Sequence, residues 1–262
     1  MSRRSIESKQ ELLEELQFSM KKCYMGQSTI DYCLNNASGQ VLDALLSIFK
    51  MESERRVSTR IANLIKSAGF PTIKCIDDYD SSQLKLPPQL SFETLKSLDF
   101  IKEKHTLIMH GICGSGKTML SICIGILACQ KNMNVKFYTL SQLAEKLKTM
   151  SDAGRLESFL IGLKQLDLLI IDEWGYTSFD SASANLIYRV ISDSYEQKSL
   201  IITTNIAFSE WGKLFADDQI AAAIIDRIVH YGYPINCGSI DWRLQHSPMK
   251  NMAFTTNEAG NY

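Results

Sequence analysis

From residue 105 onward, short apolar runs alternate with stretches in which apolar residues recur every three or four positions. The runs at 106–110, 135–138, 168–172, 200–204 and 234–237 have the length and composition of strands. Leu168-Leu169-Ile170-Ile171 is apolar throughout, as a strand covered on both faces must be. Helical periodicity fills the intervals at 117–130, 141–150, 155–166, 183–197 and 219–230. This alternation predicts an α/β unit, a five-stranded parallel sheet with helices on both faces.

The first part of the chain follows a different rule. Leu12, Leu13, Leu16, Phe18 and Met20 recur among charges, which predicts a helix over 6–25. A polar break, Asn35-Asn36-Ala37-Ser38-Gly39, precedes a longer helical pattern over 41–65 carried by Leu42, Leu45, Leu46, Phe49, Val57, Ile61, Leu64 and Ile65. Gly69 ends that helix and Pro71 blocks its continuation. The polar, proline-closed connector at 77–88 puts the domain boundary near 80. The expected organisation is a small helical domain at 1–80, a second domain at 81–245 entered through a short helix at 91–103, and a polar, mobile tail at 246–262.

Composition narrows the class without naming a function. A chain of 262 residues with 45% hydrophobic and 22% charged residues can bury a sizeable core. A formal net charge of −1 supplies no global basic field for nucleic acid, although a local patch or a ring of subunits can concentrate positive charge. The seven cysteines form no Cys-x-x-Cys pair and no zinc-ligand spacing with the histidines, which fits a reducing cytoplasm. Met-Ser-Arg-Arg-Ser-Ile-Glu has no apolar run behind its charges, and no apolar stretch is long enough to span a bilayer. The expected setting is cytoplasmic, with no membrane partner.

The strongest chemical signal is Gly111-Ile112-Cys113-Gly114-Ser115-Gly116-Lys117-Thr118, which fits G-x-x-x-x-G-K-[ST] between a predicted strand and a predicted helix. Glycines let successive backbone N–H groups turn inward toward phosphate oxygens, and the helix start adds its positive end. Lys117 is suited to bridge the β- and γ-phosphates of ATP, and the Thr118 hydroxyl to ligate Mg²⁺. The nucleotide-binding set is therefore 111–118 with Met119 at the helix start. Cys113 reads as a spacer in the loop.

The strand at 168–172 ends in Asp172-Glu173, where open α/β sheets bind ligands. Asp172 is suited to hold Mg²⁺ and Glu173 to polarise the water that attacks the γ-phosphate. Strand 200–204 is expected between the other two and ends at Asn205, whose amide can orient that water. Arg227, on the apolar helix Ala221-Ala222-Ala223-Ile224-Ile225-Asp226-Arg227, can supply a cation to a neighbouring subunit's ATP; the plain alternative is an ion pair with Asp226 or Asp218. Arg243 in Asp241-Trp242-Arg243-Leu244 is a second cation with the same two readings.

Together with their flanks, these motifs resemble the IstB-like ATPases, helper proteins of insertion-sequence transposition related to the DnaC helicase loaders within the AAA+ class. The resemblance is carried by Asp167-Leu168-Leu169-Ile170-Ile171-Asp172-Glu173-Trp174-Gly175-Tyr176, by Phe208-Ser209-Glu210-Trp211-Gly212, and upstream by Glu54-Arg55-Arg56 and Ala68-Gly69-Phe70-Pro71. It implies an AAA+ P-loop core with a reduced C-terminal lid, Asn205 as sensor, Arg227 as arginine finger and Arg243 as second sensor. It also implies an ATPase that oligomerises on duplex DNA, with ATP sites at subunit interfaces, and assists a cognate transposase in target selection. Two departures stand out: Asn205-Ile206-Ala207-Phe208 lacks the family's usual arginine after the asparagine, and Ser239-Ile240-Asp241-Trp242-Arg243 replaces its Gly-x-Ser-Tyr-Arg. Candidate DNA contacts are Arg55, Arg56, Arg60, Lys66, Lys146, Lys148, Arg155 and Lys164, although a charged helix face is also simply what solvent favours. A DnaC-like loader of a replicative helicase is the competing reading; a small-molecule kinase lacks an evident lid or acceptor site.

Overall fold

The computed structural model describes residues 3–245; the expected mobile tail at 246–262 lies outside them. Two compact units emerge among the described residues, divided between Asn63 and Leu64.

The first unit is helical: α1 (Arg3–Lys22), α2 (Gln27–Asn36) and most of α3 (Gly39–Ala68). Leu16, Met20, Ile30 and Leu42 form its small core. α2 is not announced by the hydrophobic pattern, because it is short and buries only Ile30 completely. α3 ends as expected, with Gly69 in the left-handed region at φ 80°.

The second unit begins inside α3, and here the boundary expected near 80 is corrected. Ala68 and Ile76 are buried in the same cluster as the strand residues Leu107 and Ile170, with Leu64, Ile65, Phe70 and Tyr79 packed against it. Polar composition at 77–88 marks a surface connector, but the chain before it already belongs to the larger core. The helix expected over 91–103 is two: α4 (Phe92–Ser97) and α5 (Asp99–Lys102), separated by Leu98 at φ 64°.

The remaining elements alternate as the pattern predicts: β1 (Thr106–His110), α6 (Lys117–Gln130), β2 (Val135–Thr139), α7 (Leu140–Asp152), α8 (Leu156–Lys164), β3 (Leu168–Trp174), α9 (Ser181–Ser194), β4 (Ser199–Thr204), α10 (Asp218–His230), β5 (Gly232–Asn236) and α11 (Trp242–Gln245). The sheet order is β2-β3-β4-β1-β5, and every pairing is parallel. β4 thus lies between β1 and β3. One face of the sheet, including Leu169, Ile171 and Ile202, packs against α7, α8, α9 and α10 through Leu143, Leu163, Ile187 and Ile224. The other, including Leu107, Ile170 and Ile201, packs against α6, α4 and α5 through Ile124, Leu95 and Phe100. Each fully buried Leu or Ile contributes about 1.5–3 kcal/mol, so the sheet is held rigidly from both sides.

Side chains cap several helix starts on this unit: Thr139 with Gln142 on α7, Asp180 on α9 and Asp217 on α10. α6 begins differently. Gly116 precedes it with no side-chain cap, leaving its first N–H groups for a ligand.

At the far end of the sheet, Lys198 is buried and donates to the carbonyl of Leu163 in the last turn of α8. Burial lowers its pKa from the usual 10.5 to about 8. Between pH 8 and pH 10.5 the unfolded chain holds a proton on Lys198 that the folded chain gives up, so the residue's contribution to stability rises with pH across that window. Urea unfolding at pH 8 and pH 10.5 is expected to show wild-type stability rising relative to Lys198→Met. A constant difference would mean that this ammonium remains hydrated.

Candidate functional site

Because the strands are all parallel, their C-terminal ends share one edge, and the expected chemistry collects there. β1 ends at His110 and leads into the glycine loop, whose Gly114 and Gly116 sit at φ 76° and 86°. A Cβ on Gly114 would lie 1.9 Å from Oδ1 of Asp241, and one on Gly116 would lie 3.2 Å from the ring of Tyr79. Gly114 therefore requires glycine for conformation and for space, and Gly116 for conformation. The backbone N–H of Trp242 donates to the Gly114 carbonyl at 3.1 Å, fixing the outside of the loop.

The Lys117 ammonium folds back over the loop and donates to the carbonyls of Gly111 at 2.8 Å and Ile112 at 2.7 Å. Burial holds its pKa below the usual lysine value, an effect partly offset by neighbouring groups including Asp172. A partly desolvated ammonium at a helix N-terminus is suited to an anionic partner. Burial pushes the Cys237 thiol up to about 11, so it meets Lys117 in its neutral form.

Thr118 Oγ1 donates to both carboxylate oxygens of Asp172, at 3.0 and 3.1 Å, joining the start of α6 to the end of β3. Asp172 is buried, and it also accepts from the Thr203 hydroxyl on β4. Glu173 is exposed and stands at φ 60°, a left-handed conformation that costs a non-glycine residue about 1–3 kcal/mol. The register between β3 and β4 shifts there, between Ile171 and Trp174. Leu169 and Ile171 lie on one face and Leu168 and Ile170 on the other, yet Trp174 rejoins the face of Leu169 and Ile171. The bulge therefore turns Glu173 out of the sheet while its neighbour Trp174 anchors in the core against Trp211, ring centroids 5.1 Å apart.

A cavity of about 800 Å³ opens over this edge, lined by residues 113–119, Asp172, Glu173, Asn205 and Arg243 among others. Gly111 and Ile112 line instead an adjoining cavity of about 410 Å³, which Asn205 also borders. Arg227 is not brought to its own cavity. It lies on α10 beside Thr106, the first residue of β1, roughly 16 Å down the strand from the loop. Its guanidinium donates to the Ala223 carbonyl at 2.9 Å and lies over the Tyr188 ring at 5.0 Å, in place of the pairing with Asp226 or Asp218 weighed above.

For Mg²⁺, the donor set fits: a hydroxyl and a buried carboxylate converge within hydrogen-bond distance beside the loop, leaving positions for phosphate oxygens and water. Among the described residues, no cluster of three or more histidine, cysteine or acidic side chains forms an independent metal site.

The cavity also contains residues that the sequence reading passed over. Gly69, Pro71, Thr72 and Lys74 form one wall, hidden by the boundary placed near 80. Tyr176 Oη lies 3.3 Å from the Cys113 thiol. Thr203 reads as one more residue of a buried strand; the available signal was a pair of hydroxyls, Thr203-Thr204, closing an otherwise apolar run.

Of the candidate DNA contacts, Arg55 forks onto Glu52 at 2.8 and 2.9 Å, Arg56 adds a single bond to it at 2.7 Å, and these hydrogen bonds hold that carboxyl down to about 2. Lys164 pairs with Asp193 at 3.1 Å. Arg60, Lys66, Lys146, Lys148 and Arg155 are exposed. No helix among the described residues is long and apolar enough to cross a membrane.

Residues 14–249 match the family model of the IstB-like ATP binding proteins. The chain belongs to this IstB-like family. It is 31% identical over 89% of its length to a protein of Bacillus thuringiensis subsp. berliner described as an ATP-binding protein of insertion sequence IS232, covering 92% of that relative. It is 32% identical over 69% of its length to the corresponding IS21 protein of Pseudomonas aeruginosa, covering 68% of it. Among solved structures, DnaI aligns over 68% of this chain and 92% of its own at TM-score 0.51 and 17% identity. A replication initiator DnaA bound to AMPPCP and single-stranded DNA aligns over 63% of this chain and 50% of its own at TM-score 0.50 and 16% identity. These two likenesses concern the fold, a parallel α/β sheet flanked by helices. The family assigns the chain an ATP-binding role.

Gly114→Ala is expected to weaken nucleotide affinity at least about tenfold, or 1.4 kcal/mol, in a fluorescent-nucleotide titration. Binding at the wild-type level would show that the loop can reshape around Asp241.

Proposed function

We propose that this IstB-like protein hydrolyses ATP, oligomerises on duplex DNA in an ATP-dependent way, and assists a partner transposase in target selection during DNA transposition. The observation that carries the hydrolytic reading is the union of Thr118, Asp172 and Glu173 at one sheet edge, with two donors on Asp172 and Glu173 turned out of the sheet. The transposition reading rests on kinship, since the relatives are described as insertion-sequence proteins.

In this reading, the loop N–H groups and the start of α6 receive the phosphates, and Lys117 exchanges its two loop carbonyls for β- and γ-phosphate oxygens. Thr118 and Asp172 hold Mg²⁺, which neutralises charge on the phosphates when bound. Glu173 polarises the attacking water and Asn205 orients it. Arg243 faces the same cavity and supplies positive charge there. Arg227 serves a neighbouring copy's ATP, since its place at the opposite end of β1 keeps it from its own. Such a head-to-tail contact builds filaments or rings with ATP between subunits. DNA contact falls to exposed cations such as Arg60, Lys66, Lys146, Lys148 and Arg155, which can neutralise backbone phosphates without reading sequence.

Glu173→Gln is expected to retain ATP, slow hydrolysis by about 100-fold or more, and accumulate the DNA-bound assembly in gel-shift and electron-microscopic measurements. Undiminished turnover would remove Glu173 from its role. Arg227→Ala and Lys117→Ala should each be inactive alone, while an equal mixture recovers roughly a quarter of the wild-type rate, the share of interfaces pairing an intact cradle with an intact arginine. No recovery on mixing would exclude action between subunits. A protein that fails to bind duplex DNA at low salt with ATP and Mg²⁺, yet forms a stable complex with a hexameric helicase, would be a loader instead.

A further inference from the structure

Glu173 holds a conformation that non-glycine residues avoid, and one neighbouring side chain spans it. Thr203 is buried on β4, and its hydroxyl makes two bonds of opposite sense. It accepts from the backbone N–H of Glu173 at 3.1 Å and donates to Oδ1 of Asp172. Thr204, the next residue, donates to the carbonyl of Trp174 at 2.7 Å, gripping the far side of the same bulge. Ladder pairing between β3 and β4 runs regularly through Ile171 with Ile202 and resumes only at Trp174 with Thr204. Within that gap, hydroxyls take over bonds that the strand backbones would otherwise make. Thr203 therefore receives information from both acids: the direction of the Asp172 carboxylate and the backbone turn that frees Glu173.

We propose that Thr203 is a positioning residue for ATP hydrolysis, orienting Asp172 and Glu173 together through its single hydroxyl. This deepens the hydrolytic reading above and rests on it. Without the hydroxyl, Glu173 loses the acceptor that holds its N–H at the bulge, and the chain can relax toward an ordinary extended strand. Side-chain alternation would then carry the Glu173 carboxylate to the face of Leu169 and Ile171, away from the cavity. Asp172 would keep only the Thr118 donor. The cradle itself, made by the loop and Lys117, contains no bond to Thr203, so nucleotide binding should survive. The effect belongs on turnover.

The test compares Thr203→Val, which keeps the shape and removes the hydroxyl, with Thr203→Ser, which keeps the hydroxyl, in the full chain with ATP, Mg²⁺ and duplex DNA. Thr203→Val is expected to lower kcat about 30-fold, equivalent to about 2 kcal/mol, with ATP affinity within about threefold of wild type. Thr203→Ser should return to within about threefold of the wild-type rate. Added to Glu173→Gln, Thr203→Val should cause less than its full loss, because the part of its effect that runs through Glu173 is already gone and only the part through Asp172 remains. A Thr203→Val rate close to wild type, with Lys117→Ala inactive, overturns the proposal and leaves the hydrolytic reading standing. So does full multiplication of the two effects in the double variant, which marks a general structural defect. Should Thr203→Val not fold, Thr203→Ser against Thr203→Ala decides, equal rates in those two overturning the proposal. A wild-type protein that binds ATP but never hydrolyses it overturns both.

Discussion

A sheet whose strands all run the same way must deliver every strand end to one edge, and this chain places its chemistry under that constraint. β1 supplies the glycine loop, β3 the paired acids, and β4 the threonines and Asn205, each by leaving the sheet at the same side. The order β3-β4-β1 sets β4 between the loop strand and the acid strand. Residues far apart in the chain meet because apolar helices press on both faces and leave the strands no freedom to slide. The hydroxyl of Thr118 reaching Asp172 is the narrowest expression of that arrangement, since it connects the layer of α6 to the sheet exactly where the cavity opens.

Most of this was legible in the residues. Buried parallel strands read as apolar runs, so all five strands and the helices between them follow from pattern, and 117–130 coincides with α6 at both ends. The glycine loop was legible because its spacing combines backbone freedom with one cation and one hydroxyl. Other features depend on tertiary contact and leave little trace in a local pattern. α2 is fixed by one buried side chain, the break at Leu98 by packing on either side of it, and the true start of the second unit by Ala68 and Ile76 reaching a core built from later sequence. The turn at Glu173 is the clearest case. Its cause lies on a different strand, in hydroxyls of Thr203 and Thr204, and Asp-Glu after an apolar run carries no sign of it.

The division of the cations tells a similar story. Sequence alone assigns Lys117 to its own cradle but leaves Arg227 and Arg243 each open to a plain ion pair, and the folded chain shows where each of them stands. Lys117 and Arg243 face the cavity, whereas Arg227 rests on Tyr188 at the other end of the sheet. Arg55 and Arg56 look available until Glu52 is seen to hold both. Membership in the IstB-like family covers nearly the whole described chain, and these placements are what the folded chain adds to it.

The bond from Trp242 N–H to the Gly114 carbonyl makes the loop part of a linkage. Asp241 fills the space behind Gly114 that a Cβ would need, and α11 begins immediately after. The start of α11 is thereby joined to the outer rim of the glycine loop. The short helix is tethered to the loop, with Gly114 as its point of attachment.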